Sequence, residues 1–559
     1  MKPRVFYTLM LCIIFSSCER PEADHVDTGA TDEGMHYEFV LEEGNNLYGR
    51  VTETATGTPL SGIPVTDGYN YVLTDKGGYY QMRAWSSDTE YARTVALSVP
   101  AEFDIPFSED GYHSFYSHIV KDAEGLFRRD FSLTRRTQVY QDFTLVSLAD
   151  IHIQTDAHLS RFSNETIPDM LETVSAGEDR GIYKNTLVVT LGDNVWDNPD
   201  QFGPFKKAMS DMRLSGGRQL NMIPCIGNHD TISKDGDTDF TITRRYVENF
   251  GPYDFSFDLG KVHFVFMKNF VRVGVAGNTV ETKCGFQDTQ LEWLRQDIEL
   301  VEDREEKLLV FCCHYPVHEL GGAQKKLFFE LACSFNEVHF LTGHHHGVYN
   351  RIFTSDIAKG GKPAYDHNQV AACGTWWRSN INPDGVPNGY MIYNIKGNTV
   401  SSWYLKPTGS AIAQDQLRLY DGAAAYPALS GNEYGWDDML SDVSSTFVAE
   451  DKYLARVYCA DTRNWSVDFV QNGVSVPMTR ISSSIFDACT YAFTWTYPNS
   501  GFYRPGADRY KVKNTNYWYI EKDKVDLSGE WVVKAWHTLP DGSRLEYRTS
   551  HVQEGFEGF

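Results

Sequence analysis

A chain of 559 residues is longer than one hydrophobic core usually organises, so about two to four domains are expected. Its hydrophobic content of 42% and aromatic content of 14% exclude a disordered chain. The 75 acidic residues against 51 basic ones leave a formal net charge of -24, which argues against a nucleic-acid-binding surface because phosphate backbones repel carboxylates.

The chain begins with Lys2 and Arg4, followed by an apolar run from Phe6 to Phe15 that is short for a bilayer span. Ser16, Ser17 and Cys18 come next, and this segment resembles the cleavage site of bacterial lipoprotein signal peptides. The resemblance implies a signal peptide over residues 1–17, lipidation at Cys18 and an acidic, flexible tether over residues 18–36. It also implies an exported protein anchored to a membrane and facing the periplasm or the cell surface. An ordinary secretory peptide with a chance cysteine is the alternative. No later stretch is long and apolar enough for a transmembrane helix.

Residues 37–136 carry short β-favouring runs punctuated by Gly, Pro and Asp, which predicts a small β-sandwich with no catalytic cluster. This region looks like the carboxypeptidase-regulatory type of domain that precedes catalytic domains in exported bacterial proteins. Residues 138–407 change to alternating strands and helices. FTLVSLA, TLVVTL, NMIPCI, VHFVFM, KLLVFCC and EVHFL read as buried strands, and Gln287 to Leu300 reads as a helix with Leu291, Leu294 and Ile298 on one face. Residues 414–559 return to a β pattern, with a hairpin expected around Asp541-Gly542. The ten cysteines show no C-x-x-C spacing, which disfavours a zinc ribbon or a thioredoxin site. Cys225, Cys312 and Cys313 lie in apolar runs and read as buried thiols, and a Cys459–Cys489 disulfide is left open.

The residues directly after each strand of the middle region carry the chemistry. FTLVSLA runs into Asp150-Ile151-His152, TLVVTL into Gly192-Asp193, and NMIPCI into Gly227-Asn228-His229-Asp230. KLLVFCC delivers His314, and EVHFLT delivers Gly343-His344-His345-His346. Open α/β sheets bind ligands beyond the carboxyl ends of their strands, so these five loops are expected to converge. They offer oxygen and imidazole donors without thiolate, which suits divalent first-row metals.

In this order, D-x-H, G-D, G-N-H-D, H and G-H-x-H resemble the calcineurin-like metallophosphoesterases. The resemblance covers about half of the chain and implies an α/β four-layer sandwich, flanked here by N-terminal and C-terminal β-sandwich domains. It implies two divalent metal ions, of manganese, zinc or iron, that generate a bridging hydroxide and hydrolyse a phosphomonoester or phosphodiester. Asp150, His152, Asp193 and His346 would hold one metal. Asp193 would bridge to the second, completed by Asn228, His314 and His344. His229 would touch the phosphate and protonate the leaving oxygen, and His345 should point away.

One departure concerns the acid. Where the family has an Asp or Asn three residues after the bridging Asp, this chain has Trp196, with Asp197 one step on. Asp197 or Asp230 would then orient His229. Trp196 and His152 also argue against the purple acid phosphatase branch with its tyrosinate ligand. Trp376, Trp377 and Arg378 line the substrate mouth in one reading, with Arg378 gripping a phosphate oxygen. In the other, both tryptophans are packing. The rival functions are a surface-binding lipoprotein with an idle phosphoesterase scaffold, and a nucleotide or pyrophosphate hydrolase.

Overall fold

The computed structural model describes residues 39–553 except 85–93, 121, 123–124, 233–237, 277–278, 354–363, 411–415, 426–446 and 491–512. Cys18, the expected signal peptide and the tether lie outside the described residues. Among the described residues, no helix is long and apolar enough to cross a membrane.

The central domain is a four-layer α/β sandwich, and its strands and helices are numbered here within that domain. The first sheet contains β1 (Asp142–Leu148), β2 (Leu187–Thr190), β3 (Met222–Ile223), β12 (Gly389–Lys396) and β13 (Thr399–Pro407), in the order β3-β2-β1-β12-β13. The second contains β4 (Phe255–Leu259), β5 (Val262–Phe266), β8 (Leu308–Cys312), β9 (Glu337–Thr342), β10 (Tyr349–Phe353) and β11 (Ala364–Asn368), in the order β4-β5-β8-β9-β11-β10. Between β5 and the next helix stands a separate hairpin of β6 (Phe270–Ala276) and β7 (Thr279–Cys284). Strands β1, β2 and β3 run parallel, with Leu187 opposite Leu145 and Val188 opposite Met222, and so do β5, β8, β9 and β11. The carboxyl ends of the parallel strands therefore gather along one rim of each sheet.

The patterning explains the layering. β2 (LVVT) and β8 (LLVFC) are buried at every residue, as expected of strands covered on both faces. Leu145, Leu187 and Val189 of the first sheet meet Phe264, Phe266 and Val310 of the second in a shared inner core. The outer face of the first sheet, with Val146, Leu148 and Val188, packs on α1 (Ile167–Asp179) and α2 (Phe202–Ser210) through Met170, Val174 and Phe205. The outer face of the second sheet, with Leu309, Phe311 and Phe340, packs on α4 (Asp288–Leu300) and α5 (Gly322–Ala332); the short α3 (Arg244–Phe250) precedes β4. Helix α4 starts where Gln290 Oε1 accepts the Gln287 N–H at 3.0 Å, the return half of a capping box. It buries Leu291, Leu294 and Ile298 together with Trp293.

Two four-stranded sheets form the N-terminal β-sandwich, which docks on α4 and β4: Trp293 Nε1 donates to Thr66 Oγ1 at 3.0 Å, and the Tyr71 hydroxyl donates to Asp297 at 2.9 Å. A five-stranded and a four-stranded sheet form the C-terminal domain. Its hairpin Trp531–Thr538 with Arg544–Thr549 closes over Asp541-Gly542, Gly542 adopting φ +82°. A fully buried ion pair joins it to the central domain, Arg456 to Asp384 at 3.2 Å. Cys459 and Cys489 are both free and buried, as are Cys225, Cys312 and Cys313.

Candidate metal centre

The five loops meet on the rim where the two sheets face each other. β1 ends at Leu148 and delivers Asp150 and His152, β2 delivers Asp193, and β3 leads into Asn228, His229 and Asp230. From the second sheet β8 delivers His314 and β9 delivers His344 and His346. Donor atoms of Asp150, His152 and His346 lie within 4.8 Å of one another, and so do those of Asp193, His314 and His344. Asp193 stands between the groups: its Oδ2 is 3.5 Å from His152 Nε2 and 3.1 Å from His314 Nε2. Asn228 Oδ1 is 3.0 Å from the same His314 nitrogen.

The backbone is held in an unusual conformation to achieve this. Asp150, His152, Asp193, Asp197, His344, His346, Trp376 and Trp377 all have left-handed φ between 46° and 73°. Elsewhere among the described residues only Asn185, Asp303 and Asn472 share it outside glycine. Such residues cost on the order of 1–3 kcal/mol each and persist where the surroundings over-determine them, typically at functional sites. Gly227 is required by close approach, since a Cβ there would lie 2.1 Å from Asp193 N.

The donor set fits divalent cations. His152 Nε2 and His346 Nε2 face each other at 2.9 Å, and the Nδ1 atoms of both rings are buried without a hydrogen-bond partner. Such orphaned polar atoms are rare in a folded protein. His314 Nδ1 faces the Leu191 carbonyl at 2.8 Å, so that nitrogen carries the proton and Nε2 turns its lone pair toward the Asp193 and Asn228 oxygens. Lone pairs aimed at lone pairs are reconciled by a cation, and oxygen with imidazole is a donor set for first-row divalent metals. Burial disfavours a charged His314, yet the Asp193 carboxylate overcomes it and pushes the ring up to about 9, so the carboxylate draws positive charge to this nitrogen, either a proton or a cation in its place. Asp193 is itself held well below the usual carboxylate range, against its burial, by His314 and His229. Burial keeps His152 and His344 well below the ordinary imidazole value.

His229 lies beside these groups. Its backbone N–H donates to Asp193 Oδ1 at 2.8 Å, and its Nδ1 is 2.9 Å from Asp197 Oδ1. Burial opposes its protonation, but Asp193 and Asp197 together raise its pKa. Asp197 therefore orients the ring, and Asp230 does not. Asp230 is fully buried and accepts instead from Gly227 N at 2.8 Å, Val195 N at 2.9 Å and Asn194 Nδ2 at 3.0 Å, which shapes the loop. Burial and the nearby Asp193 push Asp230 up to about 7.

The tryptophans divide. The Trp376 ring, half-buried, lies 4.8 Å from the His346 ring and 6.4 Å from Trp196, so it walls the site. Trp377 is buried, donates from Nε1 to the Ile151 carbonyl at 2.8 Å and packs on Phe162, so its expected place at the substrate mouth is corrected to core. Arg378 is exposed on the next residue. His345 turns outward, pairing with Glu319 at 2.7 Å and with the Tyr349 hydroxyl at 2.7 Å. A cleft of about 750 Å³ opens beside His344, lined by Val271, Thr282, Lys283, Phe286 and Tyr315. Tyr315, whose ring lies 3.7 Å from His344, was not anticipated, although it directly follows His314. Thr279, which donates to Asp197 Oδ2 at 2.9 Å, had no signal in the sequence near any motif.

A four-layer α/β sandwich with Asp and His donors along its strand-end rim defines a metallophosphoesterase fold. Residues 45–136 match the family model described as N terminal of calcineurin-like phosphoesterase, and residues 366–530 match the model for the C terminal of calcineurin-like phosphoesterase. The chain thus carries N- and C-terminal calcineurin-like phosphoesterase domains, which supports a hydrolase acting on phosphate esters. The donor residues lie between the two matched ranges, and the second match begins in β11. No curated protein matches the sequence. Among solved structures, a purple acid phosphatase from seeds of yellow lupin (Lupinus luteus) is similar at 11% identity and a TM-score of 0.31, over 61% of this chain and 68% of that one. The NAD nucleotidase of Haemophilus influenzae is similar at 11% identity and a TM-score of 0.26, over 48% of this chain and 49% of that one. The chain thus spans about half the length of the nucleotidase.

Proposed function

We propose that this protein hydrolyses a phosphomonoester or phosphodiester at a dinuclear divalent metal centre, outside the cytoplasm. The observation that carries the reading is Asp193, one carboxylate oxygen of which faces both donor groups, at 3.5 Å from His152 and 3.1 Å from His314. Asp150, His152 and His346 would hold one cation and Asn228, His314 and His344 the other, with Asp193 shared. When bound, two such ions neutralise phosphate charge and bring the pKa of a coordinated water toward neutrality. The remaining chemistry belongs to the chain. His229 has its Nδ1 committed to Asp197, which leaves Nε2 to hold a proton beside the site. As the P–O bond breaks, its electron pair goes to the leaving oxygen, and His229 Nε2 supplies the proton that oxygen takes. Trp196 and Trp376 limit water access on the His346 side.

Export rests on Lys2, Arg4, the apolar run to Phe15 and the Ser16-Ser17-Cys18 segment, which also motivate a lipid anchor. Replacing Cys18 with Ala should then release the protein from the membrane fraction; an unchanged membrane association would refute the anchor. The catalytic reading is tested with a nitrophenyl phosphomonoester and a bis-nitrophenyl diester, supplying manganese, zinc or iron. Metal-dependent turnover that disappears in Asp193→Asn is expected, and the preferred ester assigns mono- or diesterase activity. A metal-loaded protein that cleaves neither ester would favour a binding lipoprotein on an idle scaffold.

A further inference from the structure

The hairpin of β6 and β7 touches the site at three heights. At its base, Asn269 Oδ1 accepts the backbone N–H groups of His314 at 3.1 Å and Tyr315 at 2.9 Å, and its Nδ2 donates to the Tyr315 carbonyl at 2.7 Å. Midway along β7, the Thr282 and Tyr315 hydroxyls meet at 2.8 Å, and the Tyr315 ring lies against His344. Near its tip, Thr279 Oγ1 donates to Asp197 Oδ2 at 2.9 Å, while the other oxygen, Oδ1, faces His229 Nδ1 at 2.9 Å. Asp197 N also donates to the His229 carbonyl at 3.0 Å. The hairpin thus joins His314, on a loop of the second sheet, to Asp197, on a loop of the first.

A carboxylate that orients an imidazole has to be oriented itself. Asp197 sits one residue beyond the position where the family places its orienting Asp or Asn, in a left-handed conformation with φ 51°. Two oxygens on one planar group are fixed best by two donors on opposite sides, here the imidazole and the threonine hydroxyl. We propose that Thr279 is a positioning residue for His229, acting through Asp197, and that the β6–β7 hairpin compensates in this way for the displaced carboxylate. The inference rests on the phosphoesterase reading for its kinetic consequence, and on geometry alone for the ring's orientation.

A general acid matters most when the leaving oxygen is a poor leaving group, and little when it is a nitrophenolate. Thr279→Val should lower kcat/KM for an alkyl phosphate ester by about tenfold, the worth of one charge-assisted hydrogen bond, and that for the nitrophenyl ester by less than about twofold. Thr279→Ser, which keeps the hydroxyl, should restore both, with melting temperature and metal content unchanged throughout. Adding Thr279→Val to Asp197→Asn should bring no further loss, because the two act on one ring. A second arm needs no turnover. In protein labelled with 15N-histidine, the ring N–H signal that vanishes in His229→Gln should shift in Thr279→Val and return in Thr279→Ser. An unshifted signal, or equal losses on both esters, would overturn the proposal. If the wild type cleaves neither ester, the phosphoesterase reading fails while the His229 signal still decides the role of Thr279.

Discussion

Two of the histidine–carboxylate clusters buried in the central domain are wired in opposite ways. In the middle of the second sheet, Glu337, His339, His367 and Asn350 form a closed chain. Glu337 Oε1 is 2.8 Å from His339 Nε2, His339 Nδ1 is 2.8 Å from His367 Nε2, and His367 Nδ1 is 2.6 Å from Asn350 Oδ1. Every ring nitrogen has a partner, and Val400 N and Thr399 Oγ1 supply further donors to Glu337. At the strand ends, by contrast, His152 and His346 leave their Nδ1 atoms unpartnered and turn their Nε2 atoms on each other. The backbone is relaxed and extended in the first cluster and left-handed in the second. Completed hydrogen bonding suits a polar group that serves the fold, while donor atoms that converge without pairing, beside a left-handed backbone, fit a site that could hold a cation.

The two clusters should therefore fail differently. The largest effect is expected at the rim, where Asp193→Asn should cut metal-dependent turnover by more than about a hundredfold, beyond the loss typical of outer-shell partners. Metal analysis of the variant should show depleted ions while urea unfolding of the metal-free proteins stays close to wild type. The paired tryptophans come next. Trp377→Ala, which deletes a buried ring, should cost about 4 kcal/mol in chemical denaturation, whereas Trp376→Ala should cost less than about 1 kcal/mol. In the closed chain, Glu337→Leu strands the donors on His339, Thr399 and Val400. It should cost about 3 kcal/mol, with kcat per bound metal unchanged.

Another buried histidine, His263, makes stability depend on pH. His263 lies between Asp258 at 2.6 Å and Asp297 at 2.9 Å; burial disfavours its charge, but Asp297 and Asp258 outweigh that and raise its pKa to about 9. Because the folded value exceeds the ordinary value of about 6.5, the stabilisation is complete below about pH 6.5 and is lost as pH rises through about 9. Metal-loaded protein should lose up to about 3 kcal/mol across that window, and His263→Gln should flatten the loss. Parallel curves for the two proteins would show that His263 is not the group responsible.

Much of this was legible because strand ends and loop chemistry are written next to each other. The runs before Asp150, Asp193, Asn228, His314 and His344 are short and mostly apolar, and buried parallel strands deliver their carboxyl ends to one rim. The errors lie where backbone twist decides. Trp376 and Trp377 are consecutive and both left-handed, so which of them faces the site depends on a conformation that no pattern of alternation encodes. Asp197 and Asp230 were equal candidates for His229 in the sequence. They separated only because the Asp230 carboxylate is consumed by three donors of its own loop. Thr279 was out of reach because a hairpin brings it to Asp197 from 82 residues away.

The sharpest test is to locate the ions by anomalous diffraction from crystals grown with manganese or zinc. Two anomalous peaks about 3.5–4 Å apart, one on each side of the Asp193 carboxylate, are the predicted result. A single peak, or two that do not share Asp193, would contradict the dinuclear centre on which the account rests.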